Sequence, residues 1–79
     1  MNKPRPGKVR VYLDTHFRRG KEVTIVDGLR HHPQMIEEIA TELKRALGAG
    51  GTVKDGRIEI QGDHRDKVSQ KLTAMGYHV

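Results

Sequence analysis

The chain has 79 residues, 34% hydrophobic and 32% charged, and a net charge of +5. Such a length supports one domain, and with no cysteine neither a disulfide nor a thiolate-bound metal can brace it, so stability must come from packing. No apolar run approaches the ~20 residues of a membrane span, and the basic, proline-containing start lacks the apolar core of a secretory signal, so a cytoplasmic protein is expected.

Residues 1–7, with two prolines and two basic side chains, read as a flexible basic tail, leaving 8–79 as the domain. The first 21 residues hold Lys3, Arg5, Lys8, Arg10, Arg18, Arg19 and Lys21 against Asp14 alone, a local +6, while the remainder sums to −1. A solvated basic face explains many such surfaces, but concentration at one end of the chain points to a polyanion partner. Alternation predicts a strand over 8–14, with Val9, Val11 and Leu13 buried and Arg10 and Tyr12 opposite. Residues 15–20 break the pattern and read as an exposed hairpin loop. A second strand follows over 21–27, with Val23 and Ile25 inward and Val26 partly covered.

After a connector over 28–33, a helix is expected over 34–47. Its apolar stripe is Met35, Ile36, Ile39, Ala40, Leu43 and Ala46, with Pro33 in the first turn and Gly48 at the C′ position. Glu37 and Glu38 lie toward its N-terminus and Lys44 and Arg45 toward its C-terminus, as the helix dipole favours. That complementation accounts for the two cations without a nucleic acid. Strands over 52–54 and 57–61 flank Asp55-Gly56, a pair suited to a type I′ turn because both central residues need positive φ. Ile58 and Ile60 face the core and Arg57, Glu59 and Gln61 face away. Gly62 frees the backbone to bend, and Asp63 is placed to N-cap a second helix over 64–75, with Asp66 at N3 and Val68, Leu72 and Met75 as its stripe. Residues 77–79 fit a short final strand. The order ββαββα(β), with helices apolar on one face only, predicts an α+β fold: a two-layer plait with both helices on one face of a mixed sheet.

No reactive constellation emerges. Ser69 is the sole serine and has no His near it in sequence. Asp63-His64 suggests a dyad, but neighbours at a helix start diverge, and capping explains Asp63. His31-His32 lacks metal-ligand spacing, and residues 48–51 lack the Lys-Ser/Thr of a phosphate loop and lead into a strand. No enzyme, cofactor or metal is expected. The segment His16-Phe17-Arg18-Arg19-Gly20-Lys21 differs. Its cations suit phosphate, and His16 and Phe17 can stack on unpaired bases; a solubilising loop is the plainer alternative.

The run Gly50-Gly51-Thr52-Val53-Lys54-Asp55-Gly56-Arg57-Ile58-Glu59-Ile60-Gln61-Gly62-Asp63-His64-Arg65 resembles the signature of the SUI family, the translation initiation factor 1 proteins of eukaryotes and archaea and their bacterial relatives. The similarity extends back through Arg19-Gly20-Lys21-Glu22-Val23-Thr24-Ile25-Val26-Asp27-Gly28-Leu29 and forward to Met75-Gly76-Tyr77. The chain departs at Ala49, where many prokaryotic members carry a cysteine, so any role of that thiol is absent.

The resemblance implies a non-enzymatic factor that binds the small ribosomal subunit near the P site. There it would promote stringent selection of start codon and initiator tRNA. It assigns Arg18, Arg19 and Lys21 to a basic loop approaching mRNA and initiator tRNA, the loop in which His16 and Phe17 stand as stacking candidates. Lys44 and Arg45 are assigned to ribosomal RNA, and Gln61, Gly62, Asp63 and Arg65 to a second surface tied to start-codon stringency. A monomer is expected. The alternative is a general RNA-binding or stress-time translation regulator of the same fold.

Overall fold

The computed structural model describes residues 8–15 and 21–79. Its elements are β1 (Arg10–Asp14), β2 (Val23–Asp27), α1 (Pro33–Leu47), β3 (Gly51–Lys54), β4 (Arg57–Gln61) and α2 (Arg65–Ala74). The expected tail over 1–7 and most of the expected first hairpin loop, 16–20, lie outside the described residues. The four strands form one sheet in the order β1-β2-β4-β3. The α+β plait is therefore present, but every ladder is antiparallel, so the sheet is not mixed. Parallel pairing is limited, among the described residues, to a bridge between Val23 and Gly62. Residues 77–79 form no strand; a backbone bond from Val9 N–H to the His78 carbonyl at 2.8 Å holds them beside the start of β1.

Both helices pack on one face. Ile36, Ile39, Ala40 and Leu43 of α1 meet Val68 and Leu72 of α2 over Val26, Ile58 and Ile60, with Val9 and Leu29 closing the cluster. Met35, Ala46 and Met75, placed in the apolar stripes from sequence, are exposed. They stand in the end turns of their helices, and the middle turns do the burying. The first turn of α1 holds no acidic residue, so Glu37 and Glu38 come too late to meet the dipole, whereas Lys44 and Arg45 do occupy the last turn. Gly48 closes α1 in the left-handed conformation, at φ 63°.

The expected orientation of β2 is reversed. Register pairs Thr24 with Ile60 and Val26 with Ile58, so Thr24 and Val26 face the helices and Val23 and Ile25 the opposite side. All four are nevertheless buried, because β2 is central and its neighbours Tyr12 and Glu59 flank Ile25 in register. On the edge strand β1 the predicted parity holds, but Val11 and Leu13 are only half-buried and Val9 just before it is the buried anchor. The β3–β4 turn matches the type I′ expectation, with Asp55 at φ 53° and Gly56 at φ 77°.

Candidate functional site

Antiparallel register places the end of β1, the start of β2, the end of β4 and the start of β3 at one end of the sheet, through the pairs Asp14–Val23, Thr24–Ile60 and Gly51–Ile60. That end gathers Thr15, Lys21 and Glu22, the turn between α1 and β3, and the Gln61-to-Arg65 stretch entering α2. Backbone bonds lace them together: Gly62 N–H donates to the Glu22 carbonyl at 2.8 Å, and Gln61 N–H to the Gly50 carbonyl at 2.9 Å. Lys21, Glu22, Val23, Gln61 and Gly62 line one shallow groove. Lys44 and Arg45, in the last turn of α1, lead into the same end; Arg45 is exposed and lies 3.5 Å from Glu42. Of the residues singled out from sequence, Lys21, Lys44, Arg45, Gln61, Gly62, Asp63 and Arg65 thus share one pole. His16, Phe17, Arg18 and Arg19 lie outside the described residues.

What fixes this pole is a residue that the sequence reading left unassigned. Thr24 is fully buried. Its hydroxyl donates to the Gly62 carbonyl at 2.6 Å and accepts the His64 N–H at 2.8 Å. One side chain on the central strand thereby clamps the bend between β4 and α2 from both sides. Gly62 itself sits at φ 97°, and a methyl there would come within 2.8 Å of His64 Nε2. Only glycine suits both the conformation and the imidazole beside it. The available signal for Thr24 was a lone polar residue inside the apolar run Val23-Thr24-Ile25-Val26, since buried hydroxyls require partners.

Asp63 does not cap α2. The N-cap residue is His64, and no side chain caps that terminus. The Asp63 carboxylate instead grips Arg65, accepting Nε at 2.9 Å on Oδ1 and Nη2 at 2.8 Å on Oδ2, with a long 3.4 Å contact to the Arg65 N–H. The guanidinium two residues away competes for both oxygens with charge-assisted bonds, which outweigh a cap to a neutral amide. Its hydrogen bonds hold the Asp63 carboxyl below the usual aspartate range, and the carboxylate in turn raises Arg65. Among the described residues two of the five guanidinium donors are used, leaving three N–H groups for a partner. Among the described residues no group of three or more His, Cys, Asp or Glu could hold a metal, and no helix is long and apolar enough to cross a membrane. The arrangement offers fixed donors and cations for recognition.

The family model for translation initiation factor SUI1 matches residues 5–78. Among curated relatives, the protein translation factor SUI1 homolog of Sulfolobus acidocaldarius is 57% identical over 60 residues, covering 76% of this chain and 61% of the relative. The corresponding homolog of Thermococcus gammatolerans is 46% identical over 70 residues, covering 89% of this chain and 70% of the relative. The chain spans about three fifths of the length of the Sulfolobus relative. The match runs through both hairpins and both helices, including the pole described above, and on it the chain belongs to the SUI1 family of non-enzymatic translation initiation factors.

Proposed function

We propose that this chain acts in the cytoplasm as a monomeric initiation factor, binding the small ribosomal subunit near the P site and promoting stringent selection of start codon and initiator tRNA. The observation that carries this reading is the convergence of Lys21, the basic last turn of α1 and the Gln61-to-Arg65 bend on one pole of the sheet. In this reading Arg18, Arg19 and Lys21 meet phosphates of mRNA and initiator tRNA, and His16 and Phe17 stack on unpaired bases. Lys44 and Arg45 contact ribosomal RNA, and Gln61, Gly62, Asp63 and Arg65 form the second surface. Residues 8–79 are the working domain and 1–7 a basic tail. The factor performs no chemistry. It favours one state of the initiation complex by binding that state more tightly than its competitor.

The test is a footprint on the cognate small subunit, with and without initiator tRNA, combined with binding titrations at several salt concentrations. Protection near the P site that changes with tRNA is expected. Replacing Arg18, Arg19 and Lys21 with Gln should flatten the salt dependence by roughly one released counterion per lost phosphate contact. Replacing Lys3 and Arg5 in the tail should do less. Protection that is diffuse and indifferent to tRNA would replace this reading with general RNA binding.

A further inference from the structure

The opposite pole of the sheet holds a cavity of about 210 Å³ that none of the preceding uses. Val9, Leu29 and Tyr77 form its walls, and Arg30, His31 and His78 stand among its lining. The walls are pinned on several sides. Val9 N–H donates to the His78 carbonyl at 2.8 Å, Tyr77 N–H to the Leu72 carbonyl at 3.0 Å, and the Tyr77 hydroxyl lies 2.8 Å from His31 Nε2. Gly28, another lining residue, is held at φ 95°, where a methyl would meet the Lys8 carbonyl oxygen at 2.9 Å. A space bounded by so many fixed bonds does not close by small adjustments of its walls.

We infer that this cavity receives one large apolar side chain from an acidic segment of a protein partner. Size is the first argument: about 210 Å³ falls short of the roughly 300–1,000 Å³ typical of sites for whole small molecules. Charge is the second. No carboxylate lines the cavity, and Arg30 is exposed without an ion-pair partner among the described residues. A neighbouring chain bearing carboxylates on either side of its apolar anchor complements that surface, and anchors seated in fixed pockets carry much of the affinity of protein interfaces. An unpaired nucleotide base fits less well. The Tyr77 ring in its wall is already engaged edge-on by His31, with centroids 5.7 Å apart and planes at 75°. The site lies at the far end of the sheet from the proposed ribosomal pole, so both could be occupied together. The inference does not rest on the ribosomal reading.

The probe is a short synthetic peptide of aspartate and glutamate around one central phenylalanine, titrated into the protein while backbone amide NMR shifts are followed. Leu29, Gly76 and Tyr77 should shift with saturation. The same peptide with alanine at its centre should bind about tenfold more weakly or worse, as loss of a buried aromatic anchor requires. Arg30→Glu, at an exposed position, should weaken the phenylalanine peptide at least about fivefold, while Arg45→Glu at the other pole leaves it unchanged. Equal binding of the two peptides would reduce the effect to diffuse charge and overturn the inference. So would shifts centred elsewhere, or a uridine oligonucleotide that moves these amides when the peptide does not. Small-subunit binding measured on the same variants separates the two sites: Arg30→Glu should spare it whatever becomes of the peptide.

Discussion

The two poles of the sheet are built in opposite ways. At the cavity pole, side chains tie distant elements together: Arg10 Nη2 donates to Asp27 Oδ2 at 2.8 Å across β1 and β2, and His31 reaches Tyr77, 46 residues away. At the Gly62 pole the backbone and the buried Thr24 hydroxyl make long-range bonds, while the ion pairs Asp63–Arg65 and Glu42–Arg45 are local. A surface whose backbone is anchored from beneath keeps its charged groups facing solvent in a defined geometry. That is a requirement of recognition rather than of stability. The poles therefore ought to respond differently to substitution.

The largest effect should separate two glycines of one hairpin. A methyl at Gly51 would stand 2.5 Å from the Glu59 carbonyl oxygen, so backbone must move, and Gly51→Ala should cost about 3 kcal/mol, the upper range for overpacking. Gly56, at the other pole, has nothing within 4 Å of such a methyl, and Gly56→Ala should cost only about 1 kcal/mol, for the left-handed conformation alone. Urea melts of the two variants check the order. Equal costs would mean that strain, rather than close approach, governs both positions.

Next comes the clamp. Thr24→Val keeps the shape but orphans the Gly62 carbonyl and the His64 N–H, at a cost of about 2 kcal/mol. Thr24→Ser should restore much of it. In amide exchange, loss of protection should be centred on residues 62–68 and not on the Tyr77 side. A uniform loss across the sheet would make Thr24 an ordinary core residue.

A smaller contrast pairs Tyr77→Phe with the double change of Lys44 and Arg45 to Gln. The first removes a side-chain bond between elements and should cost about 0.5–1 kcal/mol without affecting small-subunit binding. The second should stay within about 0.5 kcal/mol of the parent in stability yet weaken that binding. If the double change destabilises as much as Tyr77→Phe, the cations serve α1 through its dipole more than they serve RNA.

These contrasts also show where sequence reading reached its limit. The β3–β4 hairpin, the middle turns of the helix stripes and the left-handed stop at Gly48 follow from local periodicity and φ preferences, so they were legible. The orientation of β2 was not, because Val23, Ile25 and Val26 satisfy either parity, and the deciding group is a threonine whose partners lie 38 and 40 residues away. The grouping of Lys21 with Gln61 and Gly62 depends on strand order, which periodicity does not reveal. Asp63 failed as a cap for a different reason. Two short-range rules applied to it, a cap to the backbone and a fork to Arg65, and the charge-assisted one prevailed.

That competition gives the smallest predicted effect. Both partners of the Asp63–Arg65 fork are exposed, so solvent screens the pair and its loss is worth little to folding. The Asp63 carboxyl lies below its ordinary range in the folded chain, so its stabilising contribution is present at neutral pH and is lost only as pH falls through that depressed value. Between pH 5 and 8 the fork should stay closed, and the Arg65 Nε–H resonance should move only under more acidic conditions. Asp63→Ala should leave the urea midpoint at pH 7 unchanged while freeing the guanidinium, visible as a shifted and broadened Nε–H signal. If Arg65 acts as a positioned donor, the same variant should also weaken small-subunit binding. A lowered midpoint with faster exchange confined to the first turn of α2 would instead restore Asp63 as a helix cap. Unchanged binding with a mobile Arg65 would mean that the fork is not part of the recognition surface.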